Sequence, residues 1–259
     1  MDHDAHLPVT ARGVAMRPVP ARDSGTRVPR PVVYLHTGSD VKRHQYGYLL
    51  GELDLQIAQP ADVPDKLEPQ VEGCGAEAER VLVTTPLDAV AELVDRRRWY
   101  PFVVEDTMLF IEHFNRAYAD EKILPGPDTK RWWRALGADG VLELMAGSDR
   151  RRARYVCQIG VLLGPGDPRV FRAEVDGSIA QRGAPAHGEA PAGDFPRSTF
   201  FHSIFVPDGA TGTLASLDQD TFLRYDYRRR CLGAAAAPIR ASARHEPDGR
   251  GIRPAAPHP

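Results

Sequence analysis

Val32-Val33-Tyr34-Leu35-His36-Thr37-Gly38-Ser39-Asp40-Val41-Lys42 opens the part of the chain that reads as folded. Val32 to Leu35 is a short apolar run of the kind that makes a buried strand. Thr37-Gly38-Ser39-Asp40 then reads as a turn ending in a good N-cap. Val41, Leu49, Leu50 and Leu53 follow at helical spacing, so the stretch predicts strand, turn and helix in that order. Such a turn aims backbone N–H groups and hydroxyls at whatever sits over the helix N-terminus, a natural position for phosphate. Lys42, in the first helical turn, adds a full positive charge. The GxxxxGK[ST] spacing of a P-loop is absent, and alone the stretch reads equally as an ordinary βα turn with a solvated lysine.

Working outward, Leu55 to Ala58 predicts a second strand, and Pro86 to Val94 a helix with proline near its first turn. Phe102-Val103-Val104 is a strand running straight into Glu105-Asp106-Thr107. Lys130 to Met145 keeps helical spacing and stops at Gly147. Tyr155, Cys157, Ile159 and Val161 alternate, as do Phe171, Ala173 and Val175, and Phe201 to Val206 reads as a further strand. The pattern predicts one α/β domain with an elongated mixed β-sheet flanked by helices. Residues 1–30 hold no sustained apolar period, and 233–259 are rich in Pro, Gly and Arg with hardly any large apolar side chain. Both are expected to be disordered tails, leaving 31–232 as the domain.

Of the 259 residues, 42% are apolar and 26% charged, ample for a globular core. A formal net charge of −2 gives no overall footprint for nucleic acid or an anionic membrane surface. No apolar run approaches the roughly 20 residues that span a bilayer, and the first residues lack a secretory core. Three scattered cysteines without CxxC fit a reducing cytoplasm. The expectation is a cytoplasmic protein with no nucleic-acid or membrane partner.

Glu105 and Asp106 are the chief chemical candidates. Adjacent carboxylates at the C-terminal end of an α/β strand point into the crevice where ligands bind. One carboxylate there suits Mg²⁺ while the other accepts a proton from water, although an acidic strand end also reads as a solvated helix cap. Leu124-Pro125-Gly126-Pro127 is a rigid loop before the Lys130 helix. In Arg224 to Leu232, arginines alternate with tyrosines, which suits a phosphate-and-base grip or a terminal helix with a basic face. No HxH or HxxxH pair and no GxSxG occurs, which argues against a histidine metal site and a serine hydrolase.

In their order these pieces resemble the inosine triphosphate pyrophosphatase family, the house-cleaning purine nucleoside triphosphate pyrophosphatases. Thr37-Gly38-Ser39 with Lys42 is similar to the family's TGN-x-x-K, and Asp62-Val63-Pro64-Asp65 to its D-L-P-E. Val104-Glu105-Asp106-Thr107 is similar to V-E-D-T, and Leu124 to Pro127 with Lys130 and Trp132 to L-P-G-P-x-x-K-W. Phe205-Val206-Pro207-Asp208-Gly209 resembles F-x-P-D-G, and Arg228 and Leu232 fall on S-H-R-x-x-A-L. The resemblance implies two lobes around a central cleft that holds a nucleoside triphosphate, and a homodimer. It implies that Lys42, Lys130 and the Thr37, Gly38 and Ser39 turn hold phosphates. Mg²⁺ would bridge them to Asp65, Glu105 and Asp106. Water activated by the acidic pair would attack the α-phosphorus and release pyrophosphate, with Asp106, Glu105 and Lys42 as the catalytic set.

Ser39 stands where the family has Asn, and a family lysine has no match near Asp88 and Ala89, but the departures are concentrated on the side that reads the base. The family's F-G-[YW]-D is replaced by Thr199-Phe200-Phe201-His202, and S-H-R by Asp226-Tyr227-Arg228. Thr199, Phe201, His202, Tyr227 and Arg228 are therefore the expected contacts to an altered base. Three readings follow: a Mg²⁺-dependent pyrophosphatase with changed base preference, a house-cleaning enzyme for inosine or xanthosine triphosphate using substitute residues, and a nucleotide-binding protein with little catalysis.

Overall fold

The computed structural model describes residues 30–60, 62–63, 75–117, 125–126, 128–184, 195 and 201–244. The first stretch folds as its spacing predicts. Strand β1 (Val32–His36) leads through the Thr37–Ser39 turn into helix α1 (Asp40–Glu52). Ser39 is the cap: its hydroxyl accepts from the Lys42 N–H at 3.4 Å, and its own N–H donates to Thr37 Oγ1 at 3.2 Å. Strand β2 (Gln56–Ala58) returns parallel to β1.

Helix α2 (Gly75–Arg97) then crosses to β3 (Phe102–Ile111), which lies on the other side of β1 and parallel to it. The remaining strands pair antiparallel. A two-residue β4 (Pro125–Gly126) joins β3, and β5 (Arg152–Leu162), β6 (Pro168–Ile179) and β7 (Phe205–Pro207) follow across the sheet. The order is β2-β1-β3-β5-β6-β7, a seven-stranded mixed α/β sheet with helices on both faces. Helices α3 (Glu112–Ala117), α4 (Thr129–Leu144), α5 (Gln219–Tyr225) and α6 (Tyr227–Arg244) complete the described fold. Among the described residues no helix is long and apolar enough to cross a membrane.

The two faces bury separate sets of side chains. Tyr46, Leu49 and Leu50 of α1 and Cys231, Leu232, Ala235 and Ile239 of α6 pack with Val33, Leu35, Val103 and Leu109. Val83, Leu87, Val90 and Val94 of α2 pack on Tyr34, Phe102 and Val104, the alternate residues of the same strands. Gly160 of β5 lets α2 come close, since a Cβ there would stand 2.8 Å from Leu87 Cδ1.

Four expectations are corrected. β3 does not end at the acidic pair but runs on to Ile111, because β5 pairs with all ten of its residues. α2 does not start at Pro86; the proline lies inside the helix, where burial of Leu82, Val83, Leu87 and Val90 on one stripe outweighs the lost N–H. α4 is interrupted at Gly137, whose φ is 62°. The C-terminal boundary at 232 falls inside α6, which continues to Arg244 with Ala235, Ala236, Ile239 and Ala243 buried. The expected N-terminal tail lies outside the described residues up to 29, as do 245–259.

Ile239 tests whether that last helix belongs to the cooperative unit. Ile239→Ala is expected to cost about 2–4 kcal/mol in urea unfolding, because the side chain is fully buried. A cost below about 0.5 kcal/mol would place the end of α6 outside the folded core.

Candidate active site

A break in the sheet creates the site. β1 stops at His36 opposite Val104, and β4 rejoins the same edge of β3 only at Leu109 and Phe110. Between them, among the described residues, no strand pairs with Glu105–Met108 on that edge. Unpaired backbone groups need partners, and Lys42 supplies one: its Nζ donates to the Glu105 carbonyl oxygen at 3.2 Å. Thr129 closes the far end, accepting from the Leu109 N–H at 2.8 Å and donating to the Gly126 carbonyl at 2.6 Å.

Adjacent strand residues point to opposite faces, so the two carboxylates have different surroundings. Glu105 turns toward the α1 and α6 face, where its side chain is 1% exposed. Its Oε2 lies 2.9 Å from Lys42 Nζ and its Oε1 3.3 Å from Arg228 Nε. Thr107 Oγ1 donates to the same Oε1, and the Cys157 thiol points at it from 3.7 Å. Burial alone would push the Glu105 carboxyl up, but Arg228 and Lys42 outweigh it and hold it at about 2.

Asp106 faces the α2 side, and its side chain is 33% exposed, with Lys42 Nζ 3.9 Å from Oδ1. Partial burial pushes its carboxyl up, the Glu105 charge adds to that, and Lys42 only partly opposes it, leaving a value of about 6. One carboxylate thus stays charged down to about pH 2, and its neighbour is poised to take a proton near neutral pH. Environments that drive paired acids apart in this way divide roles between them.

The donor chemistry bears on a metal. Glu105 is enclosed by the Lys42 and Arg228 charges and the Thr107 hydroxyl, whereas Asp106 presents its carboxylate to solvent. Mg²⁺ is usually held by one or two carboxylates with substrate phosphates, and Asp106 fits that mode. Among the described residues no group of three or more His, Cys, Asp or Glu is placed to hold a metal. Asp65 lies outside the described residues.

Of the other expected site residues, Thr37 and Ser39 are half-buried in the β1–α1 turn, Gly38 is exposed there, and Lys130 is exposed in the first turn of α4. Thr199 lies outside the described residues. Phe201 is fully buried against Trp133, their rings 5.0 Å apart and edge-on. His202 is 1% exposed and shares a hydrogen bond of 3.1 Å with the Tyr227 hydroxyl. Arg228 lies beneath β3 against Glu105 rather than at the surface. The structure thus joins Lys42, Glu105, Asp106, Arg228, Tyr227 and His202 into one connected group.

Three participants were not assigned from sequence. Thr107 stands two residues from Glu105, and period two alone puts it on the same face. Cys157 and Thr129 reach the site through strand register and a loop return, which no local pattern records.

Comparison with known proteins finds relatives of this chain. The chain is 32% identical over 144 residues to the dITP/XTP pyrophosphatase of Ignicoccus hospitalis, covering 56% of this chain and 68% of that one. It is 29% identical over 168 residues to the dITP/XTP pyrophosphatase of Methanopyrus kandleri, covering 61% and 80%. Among solved structures, the Ham1 protein of Staphylococcus aureus has the same fold, with a TM-score of 0.59 at 18% identity, covering 80% of this chain and 96% of that one. Matched over residues 33–237, a span that holds Lys42, Glu105 and Asp106, the chain belongs to the Ham1 family.

Proposed function

We propose that this protein is a Mg²⁺-dependent nucleoside triphosphate pyrophosphatase, cleaving a nucleotide to its monophosphate and pyrophosphate, with a base preference changed from inosine and xanthosine triphosphate. The observation that carries the reading is the meeting of Lys42, Glu105 and Asp106 at the gap in β3, beside a capped helix N-terminus. Phosphates would lie over the Thr37–Ser39 turn, with Lys42 and Lys130 supplying positive charge. Asp106 would take the proton from a water attacking the α-phosphorus, the bond to the bridging oxygen would break, and pyrophosphate would leave. Glu105 stays ionised and holds Lys42 in place. Mg²⁺, held by Asp106 and Asp65 with the substrate's phosphates, would supply charge against the transferred and leaving groups.

The changed base preference rests on Phe201 and His202, which stand where the family has an aromatic and an aspartate. A carboxylate accepts only, whereas imidazole donates or accepts according to tautomer. The reading includes a homodimer and a cytoplasmic setting, the latter supported by the free thiols of Cys157 and Cys231.

The test is pyrophosphate release from inosine, xanthosine, guanosine, pyrimidine and modified-base triphosphates, each with Mg²⁺ and with a chelator. Release from a base other than hypoxanthine or xanthine, abolished by the chelator, is the expected result. Selective release from inosine or xanthosine triphosphate would remove the altered preference, and no release from any would remove the enzyme.

A further inference from the structure

A buried polar chain runs behind the carboxylates. Asp226 caps α6, its Oδ1 accepting from the Arg229 N–H at 2.6 Å, and this fixes the first helical turn. Arg228 then falls on the stripe that carries Cys231, Leu232 and Ala235 into the core, and its side chain is 4% exposed. Its Nε lies 3.3 Å from Glu105 Oε1 in an ion pair, and its Nη1 donates to the Tyr227 hydroxyl at 3.1 Å. The guanidinium carbon also stands 4.9 Å from the centre of the Tyr227 ring, which stacks on Tyr155 at 4.6 Å. His202 Nε2 closes the chain on the same hydroxyl. So enclosed, the guanidinium faces a buried carboxylate and is almost wholly shielded from solvent.

We propose that Arg228 is a positioning residue: by clamping one oxygen of Glu105 it fixes the other, and with it the Lys42 ammonium at the open edge of β3, while Tyr227 orients the guanidinium. A carboxylate is rigid and planar, so holding Oε1 sets where Oε2 stands. Lys42 is not rigid. Its long side chain carries much rotamer freedom, which a fixed counter-charge 2.9 Å away removes before any substrate arrives. Burial opposes the Arg228 charge, but Glu105, together with Tyr227, Cys157 and Asp226, outweighs it, so the guanidinium stays charged. The proposal rests on the pyrophosphatase reading for its kinetic arm, and it gives Arg228 a task other than touching the base.

Two variants test it, Tyr227→Phe and Arg228→Lys. The first deletes one hydroxyl at constant shape; the second keeps the charge but loses the planar fork. The expected result is a fall in kcat of about tenfold for Tyr227→Phe and about 100-fold for Arg228→Lys. The factor should be the same for triphosphates carrying different bases, with KM within about twofold of wild type. Crystal structures of the variants should show the Lys42–Glu105 pair opened beyond about 4 Å in Arg228→Lys. A loss that depends on the base would assign Arg228 to base recognition and overturn the proposal, as would an unmoved Lys42–Glu105 pair. If Arg228→Lys does not fold, the Tyr227→Phe kinetics across bases decide alone. If the wild type releases pyrophosphate from no triphosphate, the pyrophosphatase reading falls, and the variant structures still decide whether Arg228 places Glu105 and Lys42.

Discussion

Asp106→Asn is expected to lower turnover by about 10²–10⁴-fold and, in the same molecule, to make the folded protein more stable at neutral pH. The two effects have one cause. Asp106 sits in a partly buried position beside the Glu105 charge, so its carboxyl is raised from 3.8 to about 6. Below about pH 3.8 the folded and unfolded chains both hold the proton and nothing is lost. As pH rises toward 6 the unfolded chain releases its proton more readily, and the folded state loses stability relative to it. Above that the loss is constant. The rise from 3.8 to about 6 corresponds to roughly 3 kcal/mol, which the 33% exposure of the side chain reduces to about 1–2 kcal/mol. Asparagine carries no charge at any pH and avoids the loss. Urea unfolding with a chelator present, at pH 7.5 and again at pH 3.5, should therefore show a stabilised variant at the first pH and no difference at the second. A variant no more stable than wild type at pH 7.5 would show that Asp106 carries no such strain, and wild-type turnover would remove it as the proton acceptor.

This coupling is visible in the structure and only half visible in the sequence. The Val33 and Leu35 strand, the Ser39 cap and the placement of Lys42 all rest on contacts within a few residues, and local spacing suffices to read them. Glu105-Asp106-Thr107 reads locally as the end of a strand, because three polar residues follow an apolar run. Its true setting depends on two distant partners: β5, which pairs through it, and β1, which stops just before it. Helix α6 fails for another reason. Ala235, Ala236 and Ala243 offer little apolar area, so the segment looks too poor to fold, yet alanine is the best helix former and its small side chain lets the helix lie close against the sheet. Arg228 was readable in principle. It shares a stripe with Cys231, Leu232, Ala235 and Ile239, whereas Arg229 and Arg230 do not. What no stripe reveals is the carboxylate waiting under it.

Glu105→Gln should act in the opposite direction from its neighbour, costing about 3 kcal/mol of stability at neutral pH and lowering the melting temperature by about 6–12 °C. Glu105 is the acid whose folded-state value is depressed, from 4.5 to about 2. Its contribution is present above about pH 4.5 and is lost as pH falls toward 2, so the wild type should weaken across that window while the variant stays flat. The magnitude comes less from the pair itself than from what the substitution leaves behind: Arg228, 4% exposed, still charged, and facing a neutral amide. Lys42 suffers less, because its side chain is 22% exposed and can turn its ammonium to water. It follows that removing the second charge should undo much of the damage. Glu105→Gln combined with Arg228→Met is expected to recover most of the lost stability, measured as a coupling energy in a double-mutant cycle, and to recover none of the turnover. If the double variant is no more stable than Glu105→Gln alone, the buried charge is not the source of the cost. If turnover returns with stability, Glu105 serves the fold alone and the fixed Lys42 is not needed for catalysis. The two neighbouring carboxylates then make opposite contributions for one physical reason, the face of β3 on which each happens to lie.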